Sequence, residues 1–304
     1  MGTSARWYER RLMGKRKRRF TAKTADRHEL YQLSVQAPDH EVELLGRIFK
    51  RHTGRRAVSL REDFCGTALL CATWVQSKSD RVATGLDIDG PTLAWGREHN
   101  VAPLGPDAAR VTLLEQNVLV PPSTKFDLVC AFNYSFQTFK TRELLGRYFR
   151  AVHRSLVPEG LFVLDLLGGW ESQQVLTEKR ELDGFTYVWE QASFDPISSH
   201  MVAHIHFHFR DGSKLERAFT YDWRLWTIAE LRELLREAGF VDVDVYWEGD
   251  DGEGGGNGEF RRVETIHNDP GWNTYLVAKK RPPSPGSKDA ERAAKRARAA
   301  ARAK

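Results

Sequence analysis

Four stretches of the chain end an apolar run in polar side chains: Glu62 and Asp63 in "VSLREDFCGTALLCATW", Asp87 in "ATGLDID", Asn117 in "LLEQNVL", and Asn133 with Tyr134 in "AFNYSFQTF". A carboxylate at a strand end can accept both hydroxyls of a ribose, which suits Asp87. Asn117 can offer its side-chain oxygen to an exocyclic amino group, and Val118 a backbone N–H to a ring nitrogen. The turn "EDFCGTA" contains a single glycine, Gly66. That is too few for the close backbone approach a pyrophosphate requires. The ordered series points to an adenosine carrying a charged tail.

Regular elements must place these strand ends along one edge. Hydrophobic periodicity predicts an amphipathic helix over 26–52, a strand over 57–61, a helix over 67–76 and a strand over 82–86, a βαβ signature. A helix over 91–100, strands over 110–116 and 126–133, a helix over 141–156 and a strand over 160–167 continue it. The expected architecture is α/β, a doubly wound Rossmann-like sheet of seven strands with an antiparallel last strand. After Leu167 the period changes. A helix over 171–178 is expected, followed by three alternating runs separated by Asp195-Pro196 and Asp211-Gly212, which read as an antiparallel β insert at about 171–224. Thr227 with Glu230 forms a capping box opening "TIAELRELLREAGF", and Gly239 closes it. Two last strands, "VDVDVYWE" and "NTYLVAKK", enclose a Gly- and acid-rich loop.

On these motifs the chain resembles the class I S-adenosylmethionine-dependent methyltransferases over roughly residues 30–280. That family's first motif is an acid followed by Gly-x-Gly-x-Gly. A gapless match puts Glu62 at the acid and Phe64, Gly66 and Ala68 at the glycines, so two glycines are replaced. Asp87 matches the ribose acid and Asn117 the residue holding the adenine amine. The resemblance implies S-adenosylmethionine as cofactor, held by Tyr31, Arg61, Glu62, Asp63, Cys65, Gly66, Thr67, Asp87, Ile88, Asn117, Val118 and Asn133. The insert followed by "RLWTIAELRELLREAGF" is similar to the small-molecule members, including glycine and sugar N-methyltransferases. This implies methyl transfer to an N or O nucleophile of a small-molecule acceptor. In similar enzymes the segment "ELYQLSVQ" folds over the cofactor, which would bring in Tyr31 and Gln36; an ordinary packing helix is the alternative reading.

Methyl transfer from a sulfonium is an in-line displacement that needs alignment and exclusion of water, and a base only if the acceptor arrives protonated. Candidate catalytic residues are His206, Tyr134 and Tyr221. "AHIHFHF" places His204, His206 and His208 on one strand face, either lining a pocket or forming the polar face of a half-exposed strand. Such same-face histidines do not converge on an ion without a carboxylate partner, so no metal is expected. Tyr134, Phe136, Arg224, Trp226 and Trp247 are candidates for the acceptor pocket, since aromatic faces suit a cation and an arginine an anion. Packing between insert and sheet is the alternative reading for these aromatics.

Composition bounds the rest. Hydrophobic residues make up 41% of the 304, enough for a full core. No apolar run reaches membrane-spanning length, and no secretory signal is visible, so a cytoplasmic, membrane-free protein is expected. A nuclear address in "GKRKRR" is open if the source is eukaryotic. The three cysteines sit in apolar segments and read as reduced core residues. Residues 1–23 hold nine Lys/Arg against one acid and 279–304 ten against two, within a total of +5. The body is therefore acidic between basic tails at 1–25 and 281–304, flanking a methyltransferase domain at 26–280. The tails could hold nucleic acid, making RNA or protein the substrate, or could simply solvate the chain. A non-catalytic adenosyl-binding module is the third reading.

Overall fold

The structure is a computed structural model describing residues 20–252 and 255–281. The basic runs at 1–19 and 282–304 lie outside the described residues. Helix α1 (Arg27–Val35) opens at Asp26, whose carboxylate caps the N–H groups of His28 and Glu29. The amphipathic stretch 26–52 is two helices, because Pro38 at the start of α2 (Pro38–Thr53) disfavours helical backbone at the residue before it. Then follow β1 (Ser59–Asp63), α3 (Leu69–Ser77), β2 (Val82–Asp87), α4 (Gly90–Gly96), β3 (Val111–Glu115), β4 (Phe126–Ala131), α5 (Arg142–Ser155) and β5 (Leu156–Gly168). Beyond them lie β6 (Leu176–Leu182), β7 (Phe185–Asp195), β8 (His200–Phe209), β9 (Lys214–Arg224), α6 (Ile228–Glu237), β10 (Phe240–Asp250), β11 (Gly256–Val263) and β12 (Trp272–Lys280).

The main sheet runs β11-β10-β12-β5-β4-β1-β2-β3. Strands β1 to β5 pair in parallel, and β12 joins antiparallel between β5 and β10. This is the expected doubly wound α/β sheet with its antiparallel final strand. It has eight strands rather than seven: β11, inside the glycine-rich segment expected to be a loop, pairs antiparallel with β10. Phe260 packs on Tyr275 of β12 at 4.7 Å, and Arg262 pairs with Asp244 of β10 at 2.6 Å.

The helix expected over 171–178 is absent. Residues Trp170–Gln173 make one 3₁₀ turn, and β6 follows at Leu176. The segment is too short to nucleate a helix alone, and pairing with β7 takes its alternating residues. Strands β6 to β9 form a separate antiparallel sheet. The capping box of α6 is present with both Thr227–Glu230 bonds.

Apolar cores cover both faces of the main sheet. One contains Phe126, Tyr148, Phe149 and Phe162 on the α5 side, and the other contains Leu45, Trp74 and Leu128 on the α2 and α3 side. A third joins the insert sheet to α1 through Leu30, Ile205, Phe207 and Trp223. Cys65, Cys71 and Cys130 are free and buried. Among the described residues no helix is long and apolar enough to cross a membrane.

Candidate active site

Strand alternation divides the polar end of β1. Glu62 faces α3, where its carboxylate accepts the Cys71 N–H at 3.2 Å and thiol at 3.1 Å. Burial pushes this carboxyl up to about 8. Arg61 and Asp63 face the other way and are fully buried. They pair at 2.8 Å, and Asp63 also accepts the Tyr148 hydroxyl at 2.9 Å. The side chains of Arg61 and Asp63, expected at the cofactor, are instead buried and paired with each other inside the core.

The turn itself repeats one backbone conformation. Phe64, Gly66 and Ala68 all lie in the left-handed region, at φ 57°, 52° and 56°. For residues with a Cβ this costs about 1–2 kcal/mol each, so surrounding contacts must hold Phe64 and Ala68 there. The Cys65 N–H donates to the Leu86 carbonyl at 3.0 Å, and the Gly66 N–H donates to Asp87 Oδ2 at 2.7 Å. A Cβ on Gly66 would meet nothing within 4 Å, so that side of the turn is open. The Cys65 side chain points into the core, 2% exposed. The Thr67 hydroxyl accepts from Gln32 of α1 at 2.7 Å, and the Asp26 cap also takes the Trp95 indole N–H at 3.0 Å. Helix α1 thus contacts the turn through Gln32.

Further along the edge, Asp87 accepts the Asp89 N–H on its second oxygen at 3.0 Å, and Ile88 projects outward at 72% exposure. Asn117 is exposed, with Oδ1 accepting the Leu119 N–H at 2.9 Å. The Val118 side chain is buried.

A second strained corner follows β4. Asn133 and Tyr134 are consecutively left-handed, at φ 56° and 58°. Their N–H groups both donate to the carboxylate of Asp165 on β5, at 2.7 and 2.9 Å. Burial pushes Asp165 up to about 7 despite these donors. The Tyr134 hydroxyl donates to Asn273 Oδ1 at 2.6 Å. This corner borders a cavity of about 340 Å³ between α2, the ends of β4 and β5, the insert sheet and the β10–β12 edge. Carboxylates Glu41, Asp165, Glu178 and Glu248 line it together with rings of Tyr134, Tyr187, Trp189 and Tyr275, and with Lys179 and Arg180. Burial, then the charges of Glu62 and Asp165, raise Glu41 to about 8.

Sequence reasoning missed Glu41, Asp165, Tyr187, Trp189 and Asn273. Asp165 had a signal, a lone acid within the apolar run "LFVLDLL". Glu41 had none, being one acid among several on an amphipathic helix.

Several acceptor-site expectations fall elsewhere. Residues of β7 and β9 opposite Ile205, Ala203 and Met201 are Trp189, Tyr221 and Trp223, so this aromatic face looks toward the cavity. The histidines occupy the reverse face. His206 sits there between Glu190, at 2.9 Å, and Glu216, and His204 bonds Thr220. His206, expected as a catalytic candidate, thus faces away from the cavity. Tyr221 stays on the cavity side, stacked on Trp223 with centroids 4.4 Å apart, and Tyr31 of α1 packs beside it against Phe219 at 4.9 Å. Phe136 is fully buried and Trp226 nearly so, with its indole N–H on the Phe139 carbonyl. Arg224 stacks on Trp226 at 3.8 Å and pairs with Glu230 at 3.1 Å. Trp247 packs on Trp272 at 4.9 Å. None of these four lines the cavity, and Phe136, Trp226 and Trp247 belong to the core on the α5 side of the main sheet.

No protein-family model matches the chain, and no curated relative does. Solved structures do resemble it. An S-adenosylmethionine-dependent methyltransferase from Clostridium acetobutylicum is 16% identical with a TM-score of 0.61, covering 83% of this chain and 95% of its own. An amino pentose methyltransferase from Micromonospora echinaspora, solved with S-adenosylmethionine bound, is 15% identical with a TM-score of 0.60, covering 88% and 99%. A sugar N-methyltransferase from Streptoalloteichus is 18% identical with a TM-score of 0.55, covering 89% and 98%. The chain has the fold of these enzymes over nearly their whole length.

Proposed function

We propose that the chain transfers a methyl group from S-adenosylmethionine to an amine nitrogen of a small molecule. The observation that carries this reading is the left-handed backbone at Phe64, Gly66 and Ala68. A turn built for glycine keeps its shape at two positions where glycine is gone, beside the Asp87 carboxylate. The S-adenosylmethionine bound in the similar amino pentose methyltransferase, and the similarity to a sugar N-methyltransferase, support the same reading.

The edge fits an adenosyl ligand. Each Asp87 oxygen takes one backbone N–H, leaving capacity on a group with about four acceptor sites for two ribose hydroxyls. Gly66 leaves the space above the turn open. The bound compound would supply an electrophilic methyl on a cationic sulfur, and the chain's own residues would do the rest. Tyr187 and Trp189 offer ring faces to a cation. The Glu41 carboxyl, raised to about 8, can take the proton that an arriving ammonium must lose before its nitrogen attacks. Tyr134, tied through its hydroxyl to Asn273, keeps the wall between turn and cavity rigid, and α1 covers the turn against water.

Calorimetry with S-adenosylmethionine, combined with detection of S-adenosylhomocysteine release over a panel of small amines and hydroxyl compounds, tests this. Binding with amine-dependent release is expected. Binding without release for any acceptor would leave only an adenosyl-binding module, release confined to RNA or protein would move the acceptor out of the cavity, and absence of binding would end the reading.

A further inference from the structure

Arg61 and Asp63 are an unusual pair to bury at the carboxyl end of a central strand. Both are fully buried, and Arg61 Nε and Nη1 and Asp63 Oδ1 have no hydrogen-bond partner among the described residues. Such a pair rarely stabilises a fold more than apolar residues of the same volume would. Its position is more informative than its energy. Asp63 immediately precedes left-handed Phe64, and the Tyr148 hydroxyl that binds Asp63 belongs to the ring against which Phe64 packs edge-on at 5.8 Å. Phe139 completes the slot, 5.8 Å from Phe64 and 5.1 Å from Tyr148.

We propose that Arg61, Asp63 and Tyr148 are positioning residues that clamp Phe64 in the left-handed conformation, replacing the freedom of a missing glycine and so setting affinity for the adenosyl ligand. If Phe64 relaxed to an extended φ, its ring would leave the slot, and the Cys65 and Gly66 N–H groups would swing away from the Leu86 carbonyl and Asp87. The Tyr148 ring resists this because its hydroxyl is tethered to a carboxylate that Arg61 in turn holds in place. Glycine needs no such clamp, since it adopts positive φ without a Cβ penalty. The ligand part of the proposal rests on the function proposed above, whereas the clamp rests on geometry alone.

The test compares full-length wild type, Tyr148→Phe, Phe64→Gly and the double variant by amide hydrogen exchange of the unliganded protein and by titration with S-adenosylhomocysteine. Removing the Tyr148 hydroxyl is expected to speed exchange at residues 64–68 and weaken binding, each about fivefold, the scale of one net hydrogen bond. In the Phe64→Gly background the same substitution is expected to change both by less than about twofold. Asp63→Asn should repeat the pattern, which covers the case in which one variant folds poorly. Equal effects in both backgrounds, or faster exchange spread evenly through β1 and α5, would mean that the cluster serves the core only and would overturn the clamp. The expected exchange pattern without binding in wild type would keep the clamp and remove the adenosyl reading.

Discussion

The backbone N–H of Gly66 donates to Asp87 Oδ2 at 2.7 Å, joining the first turn to the end of the second strand through one charge-assisted bond. The carboxylate thus both organises the turn and presents its remaining acceptor capacity at the edge. Asp87→Ala should weaken S-adenosylmethionine binding by about 1–3 kcal/mol, the cost of leaving hydrogen-bonding groups unpaired. Calorimetry reads this directly, and unchanged affinity would sink the ribose assignment.

Glu41 tests the proton-transfer role. Its carboxyl is raised to about 8, so turnover on an amine should climb as pH rises toward 8 and Glu41 becomes able to accept a proton. Glu41→Gln should lower kcat by about 10²-fold or more and abolish that rise, with little change in KM for S-adenosylmethionine. A variant that keeps both kcat and the pH profile would show that another group takes the proton.

Stability should depend on pH in an unusual direction. Glu41 and Glu62 rise from 4.5 to about 8 and Asp165 from 3.8 to about 7, burial being the largest cause in each. Over that window the unfolded chain holds fewer protons than the folded one, so stability falls with rising pH. Melting of the unliganded protein should therefore drop between about pH 4.5 and pH 8. In Asp165→Asn the fall should be smaller. A melting temperature rising steadily over this window would contradict the burial of these carboxyls.

The histidine face provides a control. His206→Gln removes the partner of Glu190 and Glu216 on the outer face of the insert sheet, which separates it from the cavity by the thickness of that sheet. Turnover should stay within about twofold of wild type, because His206 lies on the face of the sheet opposite the cavity and touches none of the residues lining it. A hundredfold loss in steady-state kinetics would return this face to the catalytic machinery.

Part of this strand edge is legible in the sequence. The gapless match put Phe64 and Ala68 at glycine positions, and both are left-handed. Asp87 was expected at the second strand end and meets the turn there. Arg61 and Asp63 misled because a charged residue near a strand end normally reads as a ligand contact, and only the presence of Tyr148, 85 positions from Asp63, makes a buried pair tolerable. Likewise the glycine-rich segment before β12 carried no strand signal strong enough to compete with its turn residues, until β10 offered it an edge.

Local sequence determined what short-range physics controls: the alternation of strands and helices, the caps at Asp26, Thr141 and Thr227, and the two faces of β8. It could not decide which of those faces turns inward, since period two sorts residues into sets without orienting the sheet. Tertiary packing made that choice by burying Ile205 and Phe207 against α1, which sent the histidines outward and Trp189 and Tyr221 inward. The cavity's carboxylates belong wholly to that level, because Glu41 and Asp165 come together only when α2 docks beside the carboxyl edge of the folded sheet.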